Sequence, residues 1–415
     1  MTDSPDGGTS GYAAFRYRDF TLFLGARFFS GMAVQMQITA IFWQLWKLTD
    51  RELILGLVGV ALFLPALLLI FVIGTVADRF DRRRILIAAY GVELICGGAF
   101  IALAGIGPQE YWSLFIVLAL LGAARGFAMP TGQAILPNIV PPAVFPNAVA
   151  WNSTVSEIAS IIGPAIGGLL LVVGFSMSYG VSVVLLVIAT GLTVAMRVRR
   201  TSTEREQIGW QSLLAGFRFI FRRSVILGAI SMDLFAVLLG GVIALMPVYA
   251  DDILDSGPIG LGMLRAAPAV GALIVAFGLT RWPVRRHVGR HMFIAVAIFG
   301  VALLTFGLST AIWLSVAALV VAGGADMISM FIRASLVQLH TPDALRGRVS
   351  TVNSVFIGAS NEMGDARAGF MGEYIGPVAA VVFGAVGTLA VTGLWAQLFP
   401  SLRKVDRFTD EQAGP

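Results

Sequence analysis

The chain has 415 residues, of which 57% are hydrophobic and only 13% are charged. Soluble globular proteins carry about 25% charged residues, so this composition excludes an ordinary soluble fold and is typical of a membrane protein. A single cysteine, Cys96, excludes an intramolecular disulfide and a cysteine-based metal cluster. The net charge of +5 would favour a nucleic-acid partner in a soluble protein, but here it reflects basic loops on one side of a bilayer.

Apolar segments long enough to cross a hydrocarbon core of about 30 Å recur from end to end and predict an all-α membrane protein with twelve transmembrane helices. The predicted helices are 20–46, 53–77, 84–106, 111–134, 146–174, 177–197, 224–248, 257–280, 290–308, 311–338, 348–372 and 375–398. The polar termini, 1–14 and 402–415, are expected to be loose. Because residues 1–14 lack a basic start before an apolar core, the first helix is expected to act as its own insertion signal.

The distribution of lysine and arginine predicts the orientation in the membrane. With the N-terminus in the cytoplasm, most of the 29 basic residues lie inside, and only Lys47 and Arg51 lie outside. Both termini are therefore predicted to be cytoplasmic. The basic residues within or near helices are Arg27, Arg125, Arg265, Arg333 and Arg367.

A long polar interval between the sixth and seventh helices divides the chain into two halves. The predicted parts are an N-terminal tail (1–14), a first six-helix half (15–197), a cytoplasmic linker (198–223), a second six-helix half (224–401) and a C-terminal tail (402–415). Apolar residues from Trp210 to Phe221 repeat with helical spacing beside arginines, which predicts an amphipathic helix in the cytoplasmic interface. The alternative for its last turn is an early start of helix seven.

An offset of 201 residues superposes parts of the two halves. The matched pairs are Asn152–Ser153 with Asn353–Ser354, Gly163 with Gly364, Gly168 with Gly369, Pro141 with Pro342, and Gly122 with Gly323. Their common offset indicates a duplication. Pseudo-symmetric repeats with a substrate site at the midplane between them are one plan of membrane carriers, so the pattern favours a transporter.

The loop after the second helix contains Gly74, Asp78, Arg79, Arg82 and Arg83. Their spacing resembles the signature loop of the major facilitator superfamily, G-x-x-x-D-R-x-G-R-[RK], with Asp81 standing where glycine is usual. The resemblance implies that Asp78 docks near the start of helix eleven, close to Arg346 and Arg348, and helps to close the cytoplasmic gate. The alternative is a basic loop that only sets topology.

The fifth helix carries Gly163, Pro164, Gly167 and Gly168, which resemble the core of the superfamily's exporter motif, GPxxGG. Ala159 stands at one upstream position where that motif has glycine. The alternative is close helix packing, because Gly163 and Gly167 also form a small-xxx-small pair.

Three longer strings are similar to one branch of the superfamily, which contains the enterobactin (siderophore) exporters and related macrolide or multidrug efflux proteins. These strings are 212–219, 341–348 and 361–369. The resemblance covers nearly the whole chain and implies the fold and export more strongly than the substrate.

Ionisable residues inside membrane segments cost at least about 2.5 kcal/mol each, so they are candidate functional groups. Arg125 and Asp326 occupy equivalent positions in the two halves, and Asp233 and Arg27 lie within helices seven and one. In the resembled family these helices line the central cavity, which implies that Arg125 and Asp326 face each other. We hypothesise that Asp233 or Asp326 takes up a proton and couples transport to the proton gradient; a fixed Arg–Asp pair that only holds the halves together is the alternative.

Other polar residues have less specific interpretations. Arg27 and Arg125 would suit an anionic substrate, or could equally neutralise Asp233 and Asp326. Structural pairing is expected for Glu93 and Glu157, and an internal cluster supporting the gate for Glu362, Asp365 and Arg367. The amides that could offer hydrogen bonds to a substrate, although at least one faces another helix, are Gln35, Gln37 and Gln44.

Residues for enzymatic chemistry are not visible in the sequence. It has no phosphate-binding G-x-x-x-x-G-K-[ST] loop and no serine nucleophile elbow, and its three histidines do not cluster with acids. We therefore expect no cofactor, no bound metal and no nucleic-acid partner.

The predicted function is a secondary-active exporter of a small amphiphilic, siderophore-like or drug-like molecule. It is expected to work as a monomer, by proton antiport, in the bacterial cytoplasmic membrane, with substrate, protons and the lipid bilayer as its partners. A proton-coupled uptake carrier and a non-transporting receptor or scaffold are the alternatives.

Overall fold

The computed structural model describes residues 11–197 and 210–408, with all their side chains except those of residues 71, 77–78, 210–215 and 343–344. The parts of the predicted tails and linker at 1–10, 198–209 and 409–415 lie outside this description, as does the carboxylate of Asp78. Within the described ranges the chain forms helices and no strands. The α-helices are α1 (Arg18–Thr49), α2 (Glu52–Leu68), α3 (Ile70–Arg79), α4 (Arg82–Ala102), α5 (Trp112–Ile139), α6 (Phe145–Leu171), α7 (Phe175–Ala195), α8 (Trp210–Arg222), α9 (Ser224–Gly240), α10 (Met246–Val248), α11 (Gly257–Arg281), α12 (Val288–Leu308), α13 (Ile312–Leu339), α14 (Asp343–Ile375), α15 (Pro377–Leu398) and α16 (Pro400–Arg403).

Nine helical stretches in the described ranges are long and apolar enough to span a bilayer: α4, α5, α6, α7, Ser224–Ile253, α11, α12, α13 and α15. The first, second and eleventh predicted segments are also helical, as α1, α2 with α3, and α14. Helix α1 is rich in polar side chains, and α2 is only 17 residues long. The prediction of an all-α membrane protein is confirmed, whereas twelve membrane crossings stay a prediction.

Proline and glycine account for two differences from the predicted helices. The second segment is interrupted at Leu69, one turn after Pro65, which cannot donate a backbone hydrogen bond. The seventh segment stops being regular at Gly240; short 3₁₀ and α turns follow, and then a π-helix at Tyr249–Ile253. The prediction that residues 224–248 form one continuous helix is therefore wrong.

Two other helix starts differ from the predicted boundaries, and one of them has a side-chain cap. Helix α4 begins at Arg82, where the Asp81 carboxylate accepts a hydrogen bond of 3.1 Å from the Arg84 amide. Asp81 has φ of −63°, so this turn does not require the glycine that is usual at the position. Helix α14 begins at Asp343, directly after Pro342, and so is longer than predicted.

The helices form two compact units. The first contains the chain up to Gln44 and from Ala61 to the linker; the second contains Leu45–Val60 and the chain from Ile208 onward. The end of α1 and the start of α2 therefore cluster with the C-terminal helices, although the sequence assigns them to the first half. Each unit has its own apolar core, formed by α1, α4 and α5 in the first and by α9, α12 and α13 in the second.

The described parts of both tails are packed. Trp151 Nε1 donates to the Gly11 carbonyl at 2.8 Å, and Ala13 and Ala14 are buried. At the other end, Leu402 and Val405 are buried, and the Gly289 amide donates to the Val405 carbonyl at 3.0 Å. The expectation of loose tails is therefore wrong for residues 11–14 and 402–408.

Helix α8 also departs from a purely interfacial position. Its Ile220 is buried in an apolar cluster with residues of α9, α13 and α14, while Arg218 and Phe221 on the same helix are exposed. One side of α8 thus packs on protein. Apolar spacing alone could not distinguish this from packing on lipid.

Candidate transport site

The second unit contains a buried ion pair between two of its membrane-spanning helices. Asp233 on α9 accepts from Arg333 on α13 at 3.2 Å, with only 7% and 4% of the two side chains exposed. Arg333 Nη1 also donates to the Asn353 carbonyl oxygen at 3.3 Å. The pair is therefore withdrawn from water, and Arg333 Nη1 is shared between the Asp233 carboxylate and the Asn353 side-chain oxygen.

A second carboxylate adjoins this pair. Asp326 interacts electrostatically with both Asp233 and Arg333. A cavity of about 10 Å³, which is close to the space occupied by one water, is lined by Asp233, Asp326, Ser329 and apolar side chains. The second unit thus gathers two carboxylates and one guanidinium beside a small space; we call Asp233, Asp326 and Arg333 the acid cluster.

Arg333 is the member of this cluster whose role the sequence interpretation missed. It was recognised only as a basic residue near a helix. Arg333 lies seven residues after Asp326, or two helical turns, so the two share a face of α13. That spacing was the available signal. The expected facing of Arg125 and Asp326 stays a prediction.

The first unit contains a second group of charged residues, formed on α1, α4 and α5. Glu93 is buried, with 1% exposed, and accepts a hydrogen bond of 3.3 Å from Ser30 Oγ. Arg27 and Arg125 both interact electrostatically with Glu93. We call Arg27, Arg125 and Glu93 the arginine cluster.

Gly132 adjoins this cluster. A β-carbon at Gly132 on α5 would lie 3.5 Å from Arg27 Nη1, so the guanidinium runs along the bare backbone of that helix. Arg27 and Arg125 are both only partly buried, in contrast to Glu93. The carboxylate is therefore the innermost group, and the guanidinium groups lie nearer the surface of the unit.

The three glutamines of α1 make hydrogen bonds within the first unit. Gln35 donates to Ser160 Oγ at 3.3 Å and Gln37 to Ser182 Oγ at 3.1 Å. Gln44 accepts from the Tyr179 hydroxyl at 2.8 Å. The expectation that at least one glutamine faces another helix is confirmed, and all three join helices to each other.

The exporter-like motif lies at a close contact of α6 with α1. A β-carbon at Gly163 would lie 2.6 Å from Gln35 Cβ, and one at Gly167 would lie 3.2 Å from Met36 Cα. Gly163, Pro164, Gly167 and Gly168 are all buried. These contacts support the packing interpretation, while a specific role in export stays a prediction.

The arginines of the signature loop bind the ends of neighbouring helices. Arg82 Nη1 donates to the Ala134 carbonyl near the end of α5 at 2.9 Å, and Arg83 donates to the carbonyls of Thr193 and Val194 at the end of α7. The Thr193 and Val194 carbonyls lie in the last turn of α7, where carbonyls lack intrahelical donors and carry partial negative charge, which suits the Arg83 guanidinium. Gly74 and the exposed Arg79 lie on α3, and the gate role of the motif stays a prediction.

The polar residues of α14 hold the irregular end of α9. Arg367 donates to the carbonyls of Leu238 and Leu239 at 3.1 Å and 2.6 Å, and Asp365 accepts from the Ile243 amide at 3.1 Å. Glu362 and Asp365 both interact electrostatically with Arg265 on α11. The predicted cluster is therefore brought together around the point at which α9 stops.

The segment Leu45–Val60 forms ion pairs with α14 and with the π-helix and packs closely on α14. Lys47 forms an ion pair with Asp251, and Arg51 Nε donates to Glu373 at 2.8 Å. A β-carbon at Gly369 would lie 2.6 Å from Gly56 Cα, so the two helices touch through bare backbone. The sequence marked Lys47 and Arg51 only as basic residues outside the membrane and gave no sign of these partners.

Two helical units with charged groups buried inside membrane-spanning helices are typical of a multi-pass membrane transporter of the major facilitator type. Residues 9–412 match the transmembrane secretion effector family of this superfamily. The chain belongs to that family.

The chain is similar to known proteins over nearly its full length, and these proteins agree with the family assignment. The chain is 28% identical over 381 residues to the enterobactin exporter EntS of Escherichia coli O1:K1, covering 90% of this chain and 88% of that protein. The enterobactin exporter EntS of Shigella boydii serotype 18 is 27% identical over 379 residues, with the same coverage.

Solved transporter structures show the same fold at low sequence identity. A POT family transporter in complex with 5-aminolevulinic acid has a TM-score of 0.73 and 11% identity, covering 94% of this chain and 97% of that one. A bacterial homologue of the iron transporter ferroportin in its inward-facing state has a TM-score of 0.69 and 16% identity, covering 94% and 99%. Both likenesses concern the fold alone.

Proposed function

We propose that this transporter is a proton-coupled exporter of a small amphiphilic molecule, siderophore-like or drug-like, in the bacterial cytoplasmic membrane. The observation that carries the proposal is the acid cluster, in which Asp233 and Asp326 adjoin the single guanidinium of Arg333 inside membrane-spanning helices. The enterobactin exporters among its relatives support export as the direction and a siderophore-like compound as the first candidate substrate. The excess of basic residues in loops on one side supports cytoplasmic termini.

The acid cluster suits proton coupling because of its charge balance. One guanidinium can neutralise one carboxylate, so the cluster is electrically neutral when the other carboxyl group carries a proton. A buried net charge is costly in a low dielectric, which gives a reason for a proton to enter with each cycle. Loss of that proton on the cytoplasmic side would return the cluster to its charged form and make the two forms distinct states of the carrier.

Transport in proteoliposomes tests the proposal. The purified protein is given catecholate and macrolide compounds with and without an imposed pH gradient, and substrate exchange at equal pH is measured in parallel. We expect wild-type protein to accumulate one class of compound only with the gradient. Asp326→Asn or Asp233→Asn should lose gradient-driven accumulation but keep exchange, because substrate can still move without a proton.

Asp255→Asn is the matched control. Asp255 is exposed and has φ of 45°, a left-handed conformation that asparagine also tolerates. The Asp255→Asn variant should accumulate as much substrate as the wild type does. Undiminished gradient-driven accumulation by both Asp233→Asn and Asp326→Asn would exclude the acid cluster as the coupling site. If wild-type protein accumulates no compound when the pH gradient is imposed, proton-driven export of these two classes of compound is excluded.

A further inference from the structure

We propose that the groove between α12 and α13 holds one acyl chain of an anionic phospholipid, with the lipid headgroup at Arg290. The inference concerns the second unit alone. It does not rest on the proposed export function, because it needs only that α12 and α13 lie in a bilayer. The site is one for a lipid and not for the transported molecule.

The first step is the shape of the groove. Its volume is about 490 Å³, within the range of about 300–1,000 Å³ that is usual for ligand sites. Ala302 and Ala318 are buried at its floor, with 5% and 6% exposed. Large exposed side chains border it on both helices: Ile294, Ile298 and Val301 on α12, and Leu314 and Val321 on α13. Small residues between large ones thus leave a channel open to the surroundings of the helix pair.

The second step is the chemistry of the groove wall. Thr305 is the one polar residue among the described residues that line it, and its hydroxyl donates to the Val301 carbonyl at 2.9 Å within α12. A site for a polar molecule fixes it with several hydrogen-bonding groups, and here the single hydroxyl is already bonded inside its own helix. The occupant is therefore a hydrocarbon segment. Beside two membrane-spanning helices, that segment is a lipid acyl chain.

The third step is the difference in charge between the two ends. Arg290 lies one turn before Ile294 on the same face of α12. Its guanidinium is exposed and makes no hydrogen bond or ion pair within the described part of the chain. At the opposite end, residues 308–314 include no charged residue. A phosphate group is therefore attracted to the Arg290 end.

The loop before α12 adds positive charge at the same end. Arg285 and Arg286 in this loop are exposed. Asp406, an acid that touches the loop, accepts a hydrogen bond from the His287 amide at 3.0 Å and forms no ion pair with Arg285, Arg286 or Arg290. An anionic headgroup is therefore favoured over a zwitterionic one.

The fourth step is the length of the groove. With a helical rise of about 1.5 Å per residue, Arg290 is about 6 Å from Ile294 and about 22 Å from Thr305 along α12. Half of the hydrocarbon core is about 15 Å thick. A chain that begins beside Arg290 therefore lies in the groove over the depth of its own leaflet.

Native mass spectrometry of the full chain, with lipid titrated into the protein–detergent complex, is the test. The two probes are phosphatidylglycerol and phosphatidylethanolamine with identical acyl chains, which differ in net charge. The wild type should bind one phosphatidylglycerol at least about fivefold more tightly than phosphatidylethanolamine, which is the ratio expected from one arginine beside a lipid headgroup.

Substitutions assign the two parts of the site. Arg290→Gln should weaken binding of phosphatidylglycerol at least about fivefold and leave phosphatidylethanolamine unchanged. Arg84→Gln is the matched control, because Arg84 is an exposed arginine in the first turn of α4, and it should change neither. Ala317→Trp places an indole in the groove from its exposed side and should weaken both lipids to the same extent. Ala317→Leu replaces it if the tryptophan variant does not fold.

Three results would overturn the proposal. They are equal binding of the two lipids by the wild type, a loss in Arg290→Gln no larger than in Arg84→Gln, and unaltered lipid binding when residue Ala317 is enlarged.

Two further measurements separate this lipid from other occupants. Glycerol phosphate, which carries a phosphate charge without an acyl chain, should not displace the bound lipid. Displacement would mean that the arginine binds an anion without use of the groove, and the proposal would be wrong. A wild-type dimer that retains no lipid and that Ala317→Trp converts to a monomer would assign the groove to a second copy of the chain instead.

Discussion

Removal of Arg333 should destabilise the protein more than removal of its partner Asp233. At the observed separation of 3.2 Å, two opposite unit charges attract by about 5 kcal/mol at an effective dielectric constant of about 20. Arg333→Met leaves the carboxylates of Asp233 and Asp326 together without a cation. Breaking a buried pair in this way costs about 3–5 kcal/mol.

Asp233→Asn should cost less, about 1–3 kcal/mol, because Arg333 keeps the attraction of Asp326 and its hydrogen bond to Asn353. The triple variant Asp233→Asn, Asp326→Asn, Arg333→Met has no charge left in the cluster and should recover most of the loss. This order of stabilities follows from charge balance and not from side-chain volume.

The assay is reversible unfolding in mixed micelles, with tryptophan fluorescence reporting the free energy of unfolding. Arg285→Met is the matched control because Arg285 is exposed, so it should change stability by less than about 1 kcal/mol. A loss in Arg333→Met no larger than in Arg285→Met would refute the reasoning. A triple variant that is less stable than Arg333→Met would do so too.

Three further tests concern a close helix contact, a helix end and an exposed ion pair. Gly271→Ala should lower the free energy of unfolding by about 1–3 kcal/mol, because its β-carbon would lie 1.8 Å from the Val320 carbonyl oxygen. The control is Gly278→Ala in the same helix, whose β-carbon meets nothing within 4 Å and should be tolerated. Thermal unfolding compares the two variants directly. Arg367→Met should lower the melting temperature, since carbonyls at the end of α9 lose their donor at about 1–3 kcal/mol, and Arg367→Lys should fall in between. Lys47→Gln should change the free energy of unfolding by less than about 1 kcal/mol, because its ion pair is 47% exposed on the lysine side; a larger loss by the same thermal assay would show that this contact does more than a surface pair.

Much of the fold was predictable because a membrane segment must satisfy its backbone within one helix and must be apolar over a known length. These constraints determine which residues a membrane segment can contain, and the residues can be read directly from the sequence. The irregular stretch from Gly240 to Ile253 was not predictable in the same way. Its residues are apolar enough for a helix, and the backbone groups freed at its start are satisfied by Arg367 and Asp365, which lie more than 100 residues later.

The candidate site was predictable in its residues but not in its pairings. Buried ionisable residues stand out against an apolar background, and for this reason Asp233, Asp326, Arg27 and Arg125 were recognised. Which carboxylate meets which guanidinium depends on the rotation of each helix about its axis, and composition does not report that rotation. Arg333 shows the consequence, since it lies on the same face of α13 as Asp326 and interacts with both Asp233 and Asp326.

The acid cluster and the arginine cluster differ in their residues. The arginine cluster has Arg27 and Arg125 beside Glu93, and the acid cluster has Arg333 beside Asp233 and Asp326. Of these residues only Arg125 and Asp326 are related by the offset of 201 residues, so the first half has an arginine where the second half has an acid. If the acid cluster is the proton site, Asp326→Asn should abolish proton uptake by the purified protein, and Arg125→Gln should leave it intact. Loss of proton uptake in Arg125→Gln to the extent seen in Asp326→Asn would mean that the acid cluster is not a proton site by itself.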